Sequence, residues 1–387
     1  MTDLTEAAAE FLAAHDPATT DRWEFLRARF DAGLARVDWP VGLGGLGLDP
    51  RGQGAVDAAF VAAGAPDNRP ALGIIGLGMA APTILRYGDE HHKKRWLRPL
   101  WTGEEIWCQL FSEPGAGSDL ASLSTRAVRD GADWVVTGQK VWTSLAHLAR
   151  WAILVTRTDP AVPKHQGLTY FVLDMTAPGV KVRPLRQLTG ESEFNEVFLT
   201  DARIPDAHRL GAIGDGWAVA QTTLMSERVT IGGGRTPRGA LPAPLLETWH
   251  TRPELRTAAL HEELLELWVE AESARLAAAR LGQQIAAGRP GPEGSAAKLA
   301  YAELNQRVTA LELKVLGGEA LRYEDWAAGR PPDGVTRPAG HRYLRARANS
   351  IEGGTSEILR NIVAERVLGL PAEPRTDKDV PWKDLPR

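Results

Sequence analysis

A continuous apolar stripe between residues 253 and 287 constrains the fold of this chain more than any other feature. Apolar residues recur there in alternating steps of four and three, the spacing of one face of an α-helix. The stripe consists of Leu260, Leu264, Leu267, Ala271, Ala274, Ala278, Leu281 and Ile285. A second stripe follows the same rule, with Ala297, Tyr301, Leu304, Val308, Leu311 and Val315. Long helices with one apolar face must bury it against other helices, so this part of the chain is predicted to form a helical bundle.

The stretch before this bundle has the pattern of β-structure. Short runs of strand-forming residues alternate with polar or Gly/Pro/Asp segments, which is typical of a small antiparallel barrel or sandwich. The runs are Ile106–Phe111, Trp134–Trp142, Trp151–Thr156, Thr169–Leu173, Val180–Leu185 and Glu196–Leu199. Residues 1 to 104 instead indicate helices separated by Gly/Pro turns.

These patterns predict an α+β multidomain fold. We expect an N-terminal helical domain (1–104), a middle antiparallel β-barrel (105–213) and a C-terminal four-helix bundle (214–370). A final helix is predicted from about Ser356 to Leu368, and the polar, proline-rich tail (371–387) is expected to be loosely held.

Composition excludes several classes of function. The single cysteine, Cys108, rules out an internal disulfide and a multi-cysteine metal site, which fits a reducing cytoplasm. The first residues carry no basic leader and no stretch approaches a membrane-spanning apolar run, so we expect a cytoplasmic protein without membrane insertion. The net charge is −4 with scattered Lys and Arg, so nucleic acid is not an expected partner.

Two glycine patterns superficially match a dinucleotide-binding fingerprint. They lie at residues 42–47 and 76–81, and neither is followed by the alternating strands and helices that such a site requires. We interpret them as turns and close helix packing. The adjacent His91 and His92 are interpreted as a solvated turn rather than a metal site, because neighbouring helical residues point about 100° apart.

Three short segments carry the functional signal. The first is Phe111-Ser112-Glu113-Pro114-Gly115-Ala116-Gly117-Ser118-Asp119, whose small residues and free backbone N–H groups suit the close approach of a flat heterocycle or a phosphate. The second, Gly138 to Ser144, ends a predicted strand, and the third, Gly353-Gly354-Thr355-Ser356, opens the last predicted helix. The first segment alone would be interpreted as a tight connection between strands.

Taken together and in this order, the three segments resemble the acyl-CoA dehydrogenase family over residues from about 20 to 370. The resemblance implies FAD held between the barrel and the bundle. It implies that the Phe111 N–H and the Ser112 hydroxyl meet the pyrimidine side of the flavin, with Trp142 against the isoalloxazine and Ser144 facing N5. Further implied cofactor residues are Gly117, Ser118, Thr355 and Glu357, and the implied substrate contacts are Ser118, which lies near the phosphates or the CoA arm, and Arg228.

The resemblance also frames the choice of catalytic base. Removing a proton α to a thioester while a hydride leaves the β carbon for flavin N5 needs a carboxylate in a dry site. The commonest family position is occupied here by Gly353, and the second known position is occupied by Glu227. Glu227 is therefore the predicted base, Glu352 is the alternative, and the Gly353 N–H is expected to bind the thioester oxygen. Without the family context, Glu227 would be interpreted as an ordinary helical ion-pair residue.

Two departures from the family pattern bear on assembly. The family's Arg-x-x-Phe lacks its phenylalanine after Arg256, and Lys314 replaces a glutamine before Gly317-Gly318. A homo- or heterotetramer is expected, in the second case with a homologous subunit, together with an acyl-CoA substrate and an electron-transfer flavoprotein or similar acceptor. Two alternatives stay open: a non-catalytic or half-site subunit of a heteromeric dehydrogenase, and a flavin oxidase or monooxygenase on the same fold. The sequence leaves open whether the substrate belongs to fatty-acid or steroid side-chain catabolism.

Overall fold

The computed structural model describes residues 4–68, 73–234, 243–286, 291–322 and 337–386, with side chains described outside 227–234 and 285–286. The chain divides into two compact units. Unit 1 contains residues 1–183, 195–223 and 376–387, and unit 2 contains residues 184–194 and 224–375.

Unit 1 begins with helices, as predicted. They are α1 (Leu4–Ala14), α2 (Arg22–Asp31), α3 (Gln53–Ala62), α4 (Ala81–Tyr87) and α5 (Glu90–Thr102), with a π-helical turn (Gly76–Ala80) directly before α4. Buried aromatic and aliphatic side chains join the first three helices: Ala8, Phe11, Phe25, Leu34, Val37, Val56 and Phe60. Both glycine patterns therefore lie in the helical region of unit 1, one in a turn and the other at the π-helical turn.

One expectation in this region is wrong. His91 is exposed, but His92 is buried, because it occupies the third position of α5 and forms a capping box with Asp89. The Asp89 carboxylate accepts from the His92 N–H at 2.8 Å, and the ring of His92 stacks on Trp96. The pair starts a helix rather than forming a solvated turn.

The middle of unit 1 is a single sheet of eight strands. They are β1 (Trp107–Leu110), β2 (Arg126–Asp130), β3 (Asp133–Ser144), β4 (Trp151–Arg157), β5 (Leu168–Asp174), β6 (Val180–Pro184), β7 (Phe194–Pro205) and β8 (Arg209–Leu210). The strand order is β6-β7-β3-β2-β4-β5-β8, with β1 on β4. β4 and β5 are almost completely buried, which explains why most of their residues are apolar.

The sheet departs from a purely antiparallel arrangement at two places. β1 runs parallel to β4, and β2 touches β4 in parallel at Arg126 and Arg157, whereas the β2–β3, β4–β5 and β5–β8 pairs are antiparallel. The parallel β1 leads directly into the first of the three segments, which begins at Phe111.

The rest of the described chain is helical. The helices are α6 (Gly216–Gly234), α7 (Ala243–Thr251), α8 (Ala258–Ala286), α9 (Gly294–Leu316), α10 (Ala339–Ala346) and α11 (Ser356–Ile362). Residues of the two predicted stripes meet in the core of unit 2, which contains Leu245, Trp249, Leu264, Leu267, Ala271, Val308, Leu311 and Val315. None of the described helices has the length and apolarity needed to cross a membrane.

The tail differs from the loose segment that we expected. Residues 376–386 pack on unit 1, where the Trp382 N–H donates to Val162 O at 2.9 Å and the Lys383 N–H to Pro160 O at 3.0 Å. The Trp382 indole donates to Ser122 O at 3.1 Å and its ring lies 4.7 Å from the Arg157 guanidinium carbon. A tryptophan that makes both contacts anchors an otherwise polar segment.

Candidate active site

The loop after β1 is a tight, internally bonded turn. The Glu113 and Ala116 backbones exchange hydrogen bonds at 3.0 and 3.1 Å around Pro114-Gly115, and Gly117 and Ser118 follow on the surface. Neither Gly115 nor Gly117 has a positive φ, and apart from the adjoining residues of the chain no described atom lies within 4 Å of a Cβ built on either. No described neighbour therefore requires glycine at these positions, and their bare backbone fits the close approach of a bound group such as FAD.

A buried ion pair between Glu113 and Lys140 of β3 holds this loop in place. The Lys140 ammonium, fully buried, donates to the Glu113 carboxylate and to Phe111 O, both at 2.9 Å. Glu113 also accepts from the Ser124 N–H at 2.7 Å and from the Thr125 N–H at 2.9 Å. Burial alone would raise the pKa of Glu113, but the Lys140 charge and these hydrogen bonds hold it at about 2.

The end of β3 presents the second segment. Trp142 has φ 59° and is 61% exposed, although a bulky residue rarely adopts this left-handed conformation. Thr143 is buried between Trp142 and the half-buried Ser144. The Asn195 amide donates to Thr143 O at 3.0 Å, which fixes this strand end. A strained conformation at an exposed indole is typical of a functional site.

Gly138, in the same segment, has a structural explanation instead. A Cβ there would lie 2.3 Å from the Thr125 hydroxyl oxygen, so close packing of Thr125, the residue before β2, on β3 requires the glycine. Nothing about Gly138 points to a ligand.

The third segment lies in unit 2. Gly353 and Gly354 both have positive φ, 63° and 98°, and Thr355 caps α11 by accepting from the Ile358 N–H at 3.3 Å. Lys298 bonds this segment from α9, and Glu357 is exposed in the first turn of α11. Backbone N–H groups in a turn that leads into a helix can bind an anion or a polarised oxygen.

The two candidate bases are Glu352, which lies shortly before α11, and Glu227, which lies on α6. Glu352 is held by Arg345, with the closest approach of guanidinium and carboxylate at 2.9 Å, and accepts from the Asn349 amide at 2.7 Å. Glu227 and Arg228 lie on α6, but their side chains are outside the described residues. One turn earlier on α6, the buried Thr223 hydroxyl contacts the Tyr170 hydroxyl at 3.0 Å and the Thr83 hydroxyl at 2.8 Å.

The residues that depart from the family pattern are engaged within unit 2. The Arg256 guanidinium donates to Trp249 O at 2.7 Å and to His250 O at 3.0 Å, closing the end of α7. Lys314 pairs with Glu263 at 2.7 Å. Within the described ranges, no group of three His, Cys, Asp or Glu side chains is placed to hold a metal ion.

Sequence reasoning missed Lys298 and Asn195. Each supports a predicted segment through main-chain carbonyls, and neither stands in a motif of its own. A lysine in an alanine-rich helix is ordinarily interpreted as a solvated residue, so the sequence offered no signal for its burial.

Comparison with known proteins identifies all three parts of the chain. Family models describing the N-terminal, middle and C-terminal domains of acyl-CoA dehydrogenases match residues 3–104, 108–202 and 214–368. Acyl-CoA dehydrogenase FadE34 of Mycobacterium tuberculosis is 42% identical over 88% of this chain, which spans only 45% of that protein. Acyl-CoA dehydrogenase IpdE1 of the same organism is 38% identical over 88% of this chain and 86% of its own length.

Solved structures show the same fold. The Tcur3481-Tcur3483 steroid ACAD has a TM-score of 0.74 at 26% identity, covering 96% of this chain and 97% of that one. The ChsE4-ChsE5 complex from Mycobacterium tuberculosis has a TM-score of 0.69 at 28% identity, covering 96% of each chain.

Proposed function

The chain belongs to the acyl-CoA dehydrogenase family, and from this premise we propose that it catalyses the FAD-dependent α,β-dehydrogenation of an acyl-CoA thioester. The observation that carries the proposal is the Phe111–Asp119 loop. Its Gly115 and Gly117 have open space at Cβ, and the buried Glu113–Lys140 ion pair holds the loop in place. The exposed, left-handed Trp142 supports it independently.

The residues that would hold FAD are those that the family resemblance implies. In unit 1 these are Phe111, Ser112, Gly117, Ser118, Trp142 and Ser144, and in unit 2 they are Thr355 and Glu357. Bound FAD would supply the acceptor for the hydride from the β carbon. The chain's own part is to orient the substrate, exclude water and take the α proton.

Glu227 is the proposed base. Gly353 has no carboxylate to offer at the commonest family position, and Glu352 is already paired with Arg345 and bonded to Asn349. Taking the α proton requires a carboxylate that can reach it, and these two partners hold the Glu352 side chain in place. Both observations favour Glu227, whose position on α6 matches the second family position.

The Gly353 N–H is proposed to bind the thioester oxygen. As the α proton moves to the carboxylate, negative charge builds on this oxygen, and a fixed N–H donor stabilises that charge. Arg228 and Ser118 are proposed to contact the substrate. The relatives named as steroid enzymes support a ring-bearing acyl group as one substrate class to test.

We further propose a heteromeric assembly with a homologous second subunit. The charged groups of Arg256 and Lys314 are engaged by partners within unit 2. This supports the proposal that the chain supplies only part of the FAD site of a neighbouring subunit. The solved ChsE4-ChsE5 relative is a complex of two chains. An electron-transfer flavoprotein is the proposed acceptor.

The test of the activity is flavin reduction. The protein, alone or co-expressed with a homologous chain, should purify yellow and lose its flavin absorbance when mixed anaerobically with a suitable acyl-CoA. A preparation that binds no FAD under either condition would refute the proposal. Rapid reaction of the reduced flavin with oxygen would favour an oxidase, and unchanged activity after Glu227→Gln in the complex would favour a non-catalytic subunit.

A further inference from the structure

Lys298 is a lysine whose side chain is buried in the fold, where charged side chains are rare. It lies on α9 with only 2% of its surface exposed, among the largest fully buried side chains described. An ammonium taken out of water costs several kcal/mol unless hydrogen bonds compensate it. Its nitrogen donates to Asn349 O and to Gly354 O, both at 2.7 Å.

These two carbonyls lie at either end of one short loop. Residues 350–353 lie between them, including Gly353 with its positive φ of 63°. Two consecutive glycines permit many backbone conformations, so the direction of the Gly353 N–H depends on what holds the loop ends. Lys298 holds both ends with one charged group.

A second connection runs from the same helix to the same loop. The Asn305 amide, two turns after Lys298, donates to Asn349 Oδ1 at 2.8 Å. The Asn349 amide in turn donates to Glu352 at 2.7 Å. Residues seven apart lie on one helical face, so α9 acts as the rigid support for the whole loop.

The charge has an electronic consequence as well. The Gly354 carbonyl belongs to the same peptide group as the Thr355 N–H, which a cation on the carbonyl makes a stronger donor. The Gly353 N–H belongs to the peptide group of the Glu352 carbonyl, so Lys298 acts on it through position alone. A neutral hydrogen-bond donor at position 298 would fix the loop but would polarise it less.

We propose that Lys298 is the positioning residue for the Gly353 amide, because it holds both ends of the loop that carries this amide toward the thioester oxygen. This inference rests on the proposed function. It adds to that function a group that does not touch the substrate but sets the acidity of its α proton through the loop.

The experiment measures that acidity without turnover. A 3-thiaacyl-CoA has an acidic α proton but cannot release a β hydride, because sulfur occupies that position. In the FAD-loaded protein, or its complex, a long-wavelength absorption band reports the deprotonated ligand, and its pH dependence gives the apparent pKa of the bound ligand. The variants are Lys298→Met, Lys298→Arg and Asn305→Ala, with Thr309→Val as a matched buried polar deletion on the same helix.

We expect Lys298→Met to raise the apparent pKa of the bound ligand by about 1–2 units, which is a 10- to 100-fold decrease in its acid dissociation constant. A loss of this size is usual when a catalytic donor is misaligned. Flavin reduction by an acyl-CoA should slow by a similar factor, while affinity for the neutral ligand at low pH changes less than about threefold. Lys298→Arg should restore part of the loss, and Thr309→Val should leave the ligand pKa unchanged. If Lys298→Met does not fold, Asn305→Ala should still raise the ligand pKa, by a smaller amount.

Two results would overturn the inference. One is a folded Lys298→Met with the wild-type ligand pKa and the wild-type rate of flavin reduction. The other is a ligand pKa raised equally by Thr309→Val, which would make the effect one of general stability. Failure of the proposed function is distinct, because the wild-type protein itself would then neither deprotonate the ligand nor reduce its flavin.

Discussion

Glu113 connects two other segments of unit 1 to the Phe111–Asp119 loop, here called the motif loop, through one carboxylate. It accepts from the Lys140 ammonium and from the backbone of Ser124 and Thr125. Since both charged groups are buried, removing one leaves the other without its counter-ion. The stability of the loop therefore depends on the charge at residue 113 and not only on its shape.

Glu113→Gln should destabilise the protein by about 3–5 kcal/mol, since it preserves the shape of the side chain but leaves the Lys140 charge unpaired. Urea unfolding followed by tryptophan fluorescence measures the change. Asp130→Asn, which weakens the exposed Arg203–Asp130 pair of the same unit, should cost less than about 1 kcal/mol. Equal losses in the two variants would contradict the role of the buried pair.

Acid should weaken the protein through the same group. The pKa of Glu113 is about 2 in the folded chain against 4.5 for an ordinary glutamate, so the unfolded chain binds the proton first. The contribution of Glu113 is fully present above pH 4.5 and is lost as the pH falls from 4.5 toward 2. Melting temperatures measured across this range should fall more steeply for the wild type than for Glu113→Gln.

Glu227→Gln should bind acyl-CoA and FAD yet reduce the flavin about 10²–10⁴-fold more slowly, the usual loss for a catalytic base. Glu352→Gln is the matched comparison, and it should remain near the wild-type rate because Glu352 pairs with Arg345. Stopped-flow bleaching of the flavin measures both. Loss of reduction in Glu352→Gln alone would move the base to the Gly353 loop.

Local chemistry explains which residues could be found from the sequence. Glu113 and Trp142 stand inside recognisable segments, so their neighbourhood identifies them. Lys298 does not, because its importance comes from carbonyls more than fifty positions away in the sequence, and no local pattern encodes which loop will reach a helix.

At the scale of the elements, the tail is connected to the motif loop through Lys164. Lys164 pairs with Asp119, at the end of that loop, at 2.7 Å and with Asp377 of the tail at 2.6 Å. The Arg157 guanidinium donates to Lys164 O at 2.9 Å and is covered by the Trp382 ring. The tail therefore stabilises the segment that follows the proposed phosphate contact, Ser118.

Trp382→Ala should lower the stability of unit 1 by about 1–3 kcal/mol, since it removes both the ring contact with the buried Arg157 guanidinium and the indole hydrogen bond to Ser122 O. Hydrogen exchange should accelerate at residues 120–123 and should not change at β4 and β5. Lys383→Ala, an exposed neighbour that uses only its backbone N–H, is the control. Unchanged exchange at 120–123 in Trp382→Ala would show that the tail does not support this segment.

The strands show where periodicity is a sufficient guide. The buried β4 and β5 were predicted within one or two residues because predominantly apolar runs identify them. β2 was missed, since four of its five residues are exposed and only Ala127 is buried. Its place depends on pairing with β3, which is a property of the folded sheet and not of the segment itself.

For the whole molecule, assembly is the main prediction. Co-expression with a homologous chain should give a complex with full FAD content, whereas the chain alone should bind less FAD, because Arg256 and Lys314 are committed to Trp249, His250 and Glu263. Native mass measurement with flavin absorbance tests both statements. A homotetramer with full FAD occupancy and full turnover would remove the need for a second subunit.

The docking of residues 376–386 on unit 1 also sets an order of events during synthesis on the ribosome. Domains tend to fold as they emerge, but the last part of unit 1 leaves the ribosome only after unit 2 has been translated. During that interval the surface around Arg157 and Ser122 lacks Trp382 and is available to chaperones or to a neighbouring nascent chain. A chain that terminated before residue 376 would therefore contain all the α-helices and strands described above but would lack the final segment of unit 1.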